Sequence, residues 1–221
     1  MPVSVSVKKI HPWSLLPQKT KVDRRLAREE SEHLANHFRY HRSFRFREAC
    51  PPWVLGQEVG WTLHSPVTID LSPVQDMQFS AEVEPKDISA IAGVTEFWRR
   101  DSGYIAAPKN HWLRSYQFRG LSDSWEAMFL PNGDGTVEWR LGWSLRIPEE
   151  YFLMVFGLDS GQGPDIPTGV LTSKQVNRTW DETGFSLAFE PSHNRVVRGQ
   201  PIARIVLMHR ETLQAGLVEE Q

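Results

Sequence analysis

Eight histidines and a single cysteine are the side chains of this sequence best suited to moving protons, holding metal ions or attacking electrophiles. His33, His37 and His41 recur every four residues, with Glu30 just ahead of them. A helix stacks such residues along one face. Imidazoles at i and i+4 with a carboxylate one turn earlier can share a metal ion, which makes Glu30, His33 and His37 the metal candidates. No HExxH accompanies them, and a plain surface or interface face is the simpler reading, so no metal is expected. His64 in GWTLHS and His111 in NHWLR lie beside tryptophan. A histidine in an aromatic pocket titrates near neutral pH and can serve as general base or acid; a hydrogen-bonded structural histidine is the alternative. The stretch GLDSGQGPD sets Asp159 and Ser160 among Gly157, Gly161 and Gly163. Glycines there let backbone N–H groups approach an anion. Asp159 and Asp165 oppose a bare phosphate unless Arg204 or Arg178 converges on the loop. A solvated loop is the plainer alternative.

Other chemistry is excluded. Ser160 and His193 lack the G-x-S-x-G setting of a nucleophilic serine. Cys50 has no adjacent base and precedes Pro51-Pro52-Trp53, so it reads as a small apolar residue before a strand. One cysteine permits neither an internal disulfide nor a cysteine-based zinc site. No glycine-rich dinucleotide fingerprint or Walker sequence occurs, and the expected cofactor is none. The candidate catalytic residues are therefore His64, His111 and Asp159. The candidate ligand-binding residues are Trp61, Trp143, Arg146, Ser160 and Arg204. Nine tryptophans in 221 residues supply either core or the walls of a cleft.

These residues need elements to position them. Val3, Val5 and Val7 alternate with polar residues as in a short strand. Residues 20–42 predict a polar helix with a thin apolar stripe of Val22, Leu26, Leu34 and Phe38. From Cys50 onward the texture is that of strands, with Val67, Ile69 and Leu71 alternating. Residues 72–112 are irregular, with one short helix expected near 86–91; their aromatics suit a lid or dimer contact. Trp125, Ala127 and Phe129 alternate up to a hairpin turn at Asn132-Gly133-Asp134-Gly135. The return strand alternates from Val137 through Trp139, Leu141, Trp143 and Leu145 to Ile147. YFLMVF, residues 151–156, reads as a strand buried on both faces. Residues 157–169 form a loop, Phe185, Leu187 and Phe189 alternate again, and PIARIVL closes the domain.

The sequence thus divides into a basic segment 1–49, a β-rich domain 50–209 and a polar tail 210–221. Residues 1–50 carry 11 Lys and Arg against 5 Asp and Glu, while the rest carries 14 against 22. The arm fits an acidic partner, or the acidic body of its own chain or of a second subunit. A net charge of −2 argues against general nucleic-acid binding. No apolar leader or membrane-length run is present, and the expected location is the cytoplasm.

ACPPWVLGQEVGWTLHSPVTIDL, GDGTVEW, RIPEEYFLMVFG and RGQPIARIVL resemble a bacterial domain family that couples a Cys-Pro segment to a Gly-Trp pair; no activity comes with that resemblance. A more distant resemblance is to the β-clip fold of the trimeric dUTPases and dCTP deaminases. It rests on Gly60-Trp61-Thr62-Leu63, Pro148-Glu149-Glu150-Tyr151, Asp159-Ser160-Gly161, Gly169-Val170-Leu171-Thr172 and Gly199-Gln200-Pro201-Ile202-Ala203-Arg204. It implies a mainly-β, β-clip-like distorted barrel or sandwich with an N-terminal surface helix and a loop-rich insertion. It also implies a homo-oligomer, dimer or trimer. The family's catalytic acid falls at Thr172, its opening aspartate at Thr62 and its closing glutamine at Arg204, and no glycine-rich arm follows. The resemblance therefore carries a fold and not dUTP hydrolysis. The expected function is binding of a small organic molecule in an aromatic cleft. If the protein is an enzyme, the expected chemistry is a cofactor-independent cyclisation, isomerisation or hydration in specialised metabolism. An assembly module built on the basic segment and a nucleotide binder without hydrolysis are the alternatives.

Overall fold

The computed structural model describes residues 3–37, 47–74, 77–100, 103–133, 135–158, 163–217 and 219. Strands dominate them. In chain order these are β1 (Ser6–Lys9), β2 (Trp61–His64), β3 (Ile69–Leu71), β4 (Gln78–Ser80), β5 (Trp98–Arg100), β6 (Gly103–Ile105), β7 (Gln117–Arg119) and β8 (Trp125–Ala127). There follow β9 (Phe129–Gly133), β10 (Thr136–Arg140), β11 (Trp143–Arg146), β12 (Tyr151–Gly157), β13 (Gly169–Thr172), β14 (Ser186–Phe189), β15 (Asn194–Val196) and β16 (Pro201–His209). The α-helices are α1 (Arg25–His37), α2 (Pro51–Glu58), α3 (Pro85–Ala92) and α4 (Ser173–Arg178). The mainly-β expectation holds. The strands form several small antiparallel sheets, and no barrel closes among the described residues. No described helix is long and apolar enough to cross a membrane.

The central sheet has the order β13-β12-β16-β2. Leu153 and Val155 of β12 are buried in the core, whereas Phe152, Met154 and Phe156 on the opposite face are half-buried. The YFLMVF run is therefore buried on one face, not on both. A second sheet, β14-β10-β9, brings Trp139, Phe129 and Phe189 into tilted and edge-to-face ring contact at centroid distances of 5.3 to 6.3 Å. All six alternating apolar residues from Val137 to Ile147 are buried, at 3% exposure or less. They do not lie on one strand, however. Gly142 takes φ +73° and turns a corner, so β10 stays with β9 and β14 while β11 pairs with β1. A Cβ at that glycine would meet the Trp13 ring at 2.4 Å.

Two regions depart from the sequence reading. Residues 51–58 form a helix where strands were expected. Pro51 and Pro52 occupy its first turn, where a missing N–H is harmless, and Cys50 sits at the N-cap, partly exposed rather than buried. Within residues 72–112 the expected helix is present as α3, but it packs with the sheet β4-β6-β5 around Ile88, Val94 and Ala106. The basic segment is tied to the body over its first twenty residues. Ser6 to Lys9 pair with Arg146 to Trp143, and Gln18 exchanges both backbone hydrogen bonds with Thr62. Helix α1 lies inside the expected span 20–42; residues 38–46 fall outside the described residues.

Candidate functional site

The strand register at one end of the central sheet decides which side chains meet. Thr62 stands opposite Arg204, His64 opposite Pro201, and Arg204 opposite Phe156. Side chains alternate along a strand, so Leu63 enters the core while Thr62 and His64 point to the other face. An irregularity in β16 between Pro201 and Ala203 gives up one pairing, and Ile202 is buried there at 1% exposure. The C-terminal end of α2 and residues 18–20 cover this face. Between them lies a groove of about 330 Å³, lined by Gln18, Lys19, Thr20, Gln57, Thr62, His64, Leu158, Pro201 and Arg204.

Arg204 is the only charged side chain among the described residues that is fully buried, at 6% exposure. Its guanidinium donates to the carbonyls of Gly56 at 2.6 Å and Gln57 at 2.8 Å, and also to that of Val59. It thereby caps the C-terminal end of α2, where a helix leaves carbonyls unpaired and a cation opposes the dipole. It also lies 5.7 Å from the centre of the Phe156 ring. Burial lowers its pKa, yet a guanidinium stays charged at any ordinary pH. Among the described residues no carboxylate lies within ion-pair distance of it, and its Nε is buried without a partner. Thr62 shares a short hydroxyl–hydroxyl hydrogen bond with Thr20. The Lys19 ammonium sits 4.3 Å from the centre of the Trp61 ring.

His64 completes the groove. Its Nδ1 is buried without a partner, and burial holds its pKa below the ordinary histidine value. The ring is therefore neutral at neutral pH. The tautomer protonated at Nε2 avoids a buried, unpaired N–H and leaves Nε2–H as a donor. Among the described residues that line it, none is acidic. Glu58, at the end of α2, instead accepts from the Val22 N–H at 3.1 Å and lies 3.7 Å from Arg24.

The other sequence candidates are placed elsewhere. His111 lines a separate cleft of about 590 Å³ with Asp70, Trp112 and Tyr116. Its Nδ1 accepts from the Leu113 N–H at 3.3 Å, so the ring caps a short 3-10 turn. Burial lowers its pKa as well. The polar ends of that cleft's aromatics are satisfied by backbone: Trp112 donates to Ser72 and Tyr116 to Thr68. His64 and His111 thus share no cavity. Trp143 is a core residue, 1% exposed and stacked on Phe185 at 4.8 Å. Arg146 lies over the Trp180 ring at 4.6 Å and near Asp181 at 4.0 Å, a surface clamp shared with Lys8. Asp159 and Ser160 lie outside the described residues, although Leu158 before them lines the His64 groove. Glu30 and His33 are exposed on α1, while the His37 side chain and His41 lie outside the described residues. Among the described residues no group of three His, Cys, Asp or Glu is placed to hold a metal ion.

Sequence reasoning missed Gln18, Lys19, Thr20 and Gln57. Nothing in the local sequence announces them, because they reach the groove through the Gln18–Thr62 bridge and the unexpected helix α2. It also missed His11, which stacks on Trp13 at 5.1 Å and touches Phe118 at 4.6 Å. Burial lowers the His11 pKa, partly opposed by Glu126.

No family model matches the chain, and no curated protein matches it. Among solved structures, a variant dUTPase of Staphylococcus bacteriophage 80alpha is similar at 11% identity and TM-score 0.39, covering 99% of this chain and 97% of that one. A variant dUTPase from phage phi11 of S. aureus is similar at 11% identity and TM-score 0.40, covering 98% of this chain and 97% of that one. At that distance the likeness assigns no residue of this chain a role.

Proposed function

We propose that the His64 groove is the binding site for a small organic molecule. One observation carries this reading. Two buried polar atoms, His64 Nδ1 and Arg204 Nε, lack any protein partner, and both residues line the same groove. An unpaired buried polar group costs about 1–3 kcal/mol, so a groove walled by two residues that each carry one calls for a functional explanation. The groove's volume suits a small molecule. Leu158 and Pro201 give it apolar surface, and Thr62, Gln57 and His64 give it oriented polar groups; Trp61, on the core side of β2, does not line it.

Chemistry at this site rests on His64 alone. A neutral imidazole can donate from Nε2 or, in its other tautomer, accept a proton there. Among the described residues it has no carboxylate behind it to stabilise an imidazolium, so it suits hydrogen bonding and modest proton transfer rather than strong base catalysis. That profile accommodates a cofactor-independent isomerisation or hydration of a metabolite, with no nucleotide hydrolysis. Nucleoside phosphates belong in the first ligand screen as the competing class.

The test is a thermal-shift screen of metabolites and nucleoside phosphates on the wild-type protein, followed by His64→Gln and His111→Gln. A ligand at 100 times its Kd raises stability by about 2.7 kcal/mol. The expected result is that the shift disappears in His64→Gln and survives in His111→Gln. The reverse pattern assigns the site to the Asp70–His111 cleft and overturns the reading.

A further inference from the structure

We propose that the ligand of the His64 groove is an organic oxyanion, a carboxylate or a phosphate ester, recognised by direct contact with Lys19 and by the field of buried Arg204. This rests on the groove being the ligand site.

The charges around the groove do not balance. Arg204 brings a full positive charge to 6% exposure without a carboxylate partner among the described residues. The carbonyls of Gly56, Gln57 and Val59 solvate it. A helix C-terminus contributes about half a negative charge at most, and α2 has only 8 residues. A positive balance therefore remains, in a site where low dielectric strengthens it. Lys19 adds a second positive charge. It sits over the Trp61 ring and has no carboxylate partner among the described residues. The groups around them are amides, hydroxyls and a neutral imidazole, and the nearby Glu58 is engaged by Arg24 and Val22. This polarity runs against the rest of the chain: residues 51–221 carry 22 acidic against 14 basic side chains. Among the described residues a cationic ligand would face two cations and no unengaged counter-charge. An oxyanion finds donors at Lys19 Nζ, at whichever hydroxyl of the Thr20–Thr62 pair does not donate to the other, and at His64 Nε2.

The test uses three probes that share a phenyl body: benzoate, phenyl phosphate and the neutral benzamide. Binding is read by the ring proton resonances of His64, identified by their loss in His64→Gln. Benzoate, phenyl phosphate or both are expected to perturb His64 in a salt-sensitive way, with benzamide at least tenfold weaker. Lys19→Gln is expected to weaken the anion about tenfold and leave benzamide unchanged. Benzoate and phenyl phosphate distinguish carboxylate from phosphate recognition. Benzamide binding as tightly as the anions, or Lys19→Gln without effect on them, overturns the oxyanion assignment and leaves the groove reading intact. If no probe of either charge perturbs His64, both fall.

Discussion

A guanidinium buried to 6% exposure without a carboxylate among the described residues relies on neutral acceptors, and at Arg204 its two terminal nitrogens donate to three carbonyls at the end of α2 while Nε finds none. Its first role is therefore to fasten α2 to the central sheet; any ligand shares a residue the fold already needs. Replacing it with Met strands those carbonyls and is expected to lower unfolding free energy by about 3 kcal/mol in urea titration. Arg204→Lys should recover part of that. A loss below about 0.5 kcal/mol would show that the cap contributes little. The histidines make a second prediction. His11, His64 and His111 all have pKa values lowered by burial from 6.5. Unfolding then takes up protons below that pH, so stability is intact above about pH 6.5 and falls as the solution is acidified. His64→Gln should flatten its share of that fall. A slope unchanged in all three single Gln variants would contradict the burial account.

Element by element, the core of this protein was plain in its sequence and its site was not. The alternation from Val137 to Ile147 predicted six buried residues, and all six are buried. It could not show the corner at Gly142, because alternation continues across a turn that swaps one partner sheet for another. Gly142→Ala forces a Cβ into the Trp13 ring at a positive φ. It is expected to cost about 3 kcal/mol, measured by chemical denaturation; a cost under 1 kcal/mol would mean that Trp13 moves aside freely. Helix α2 was hidden for another reason. Cys50-Pro51-Pro52 carries a helix-start signal, proline in the first turn. With 8 residues and only Val54 buried, however, its periodicity is too short to outweigh the strand-like sequence that follows. The three strands of the insertion have three residues each, too few for alternation to register. His64 and Arg204 were singled out by residue type. Their convergence depends on the pairing of β2 with β16, which no local pattern encodes.

Over the whole molecule, the uneven charge has a simple structural counterpart. Among the described residues of the basic N-terminal segment, Lys8 pairs with Asp181 at 2.7 Å and Arg24 with Glu58 at 3.7 Å on the body of the same chain. These pairs are partly exposed and contribute little individually. What the segment supplies is β1, the Trp13 ring and one wall of the groove. A chain beginning at residue 21 is therefore expected to unfold at lower urea and to lose ligand binding together with stability. Normal stability with intact binding would mean that the segment is dispensable to both. The groove itself is tested most directly by a crystal structure of the protein grown with phenyl phosphate. The expected result is the ligand seated between residues 18–20, the end of α2 and the His64 ring, with its phosphate against Lys19. A ligand found in the Asp70–His111 cleft, with the His64 groove holding only solvent, would contradict it.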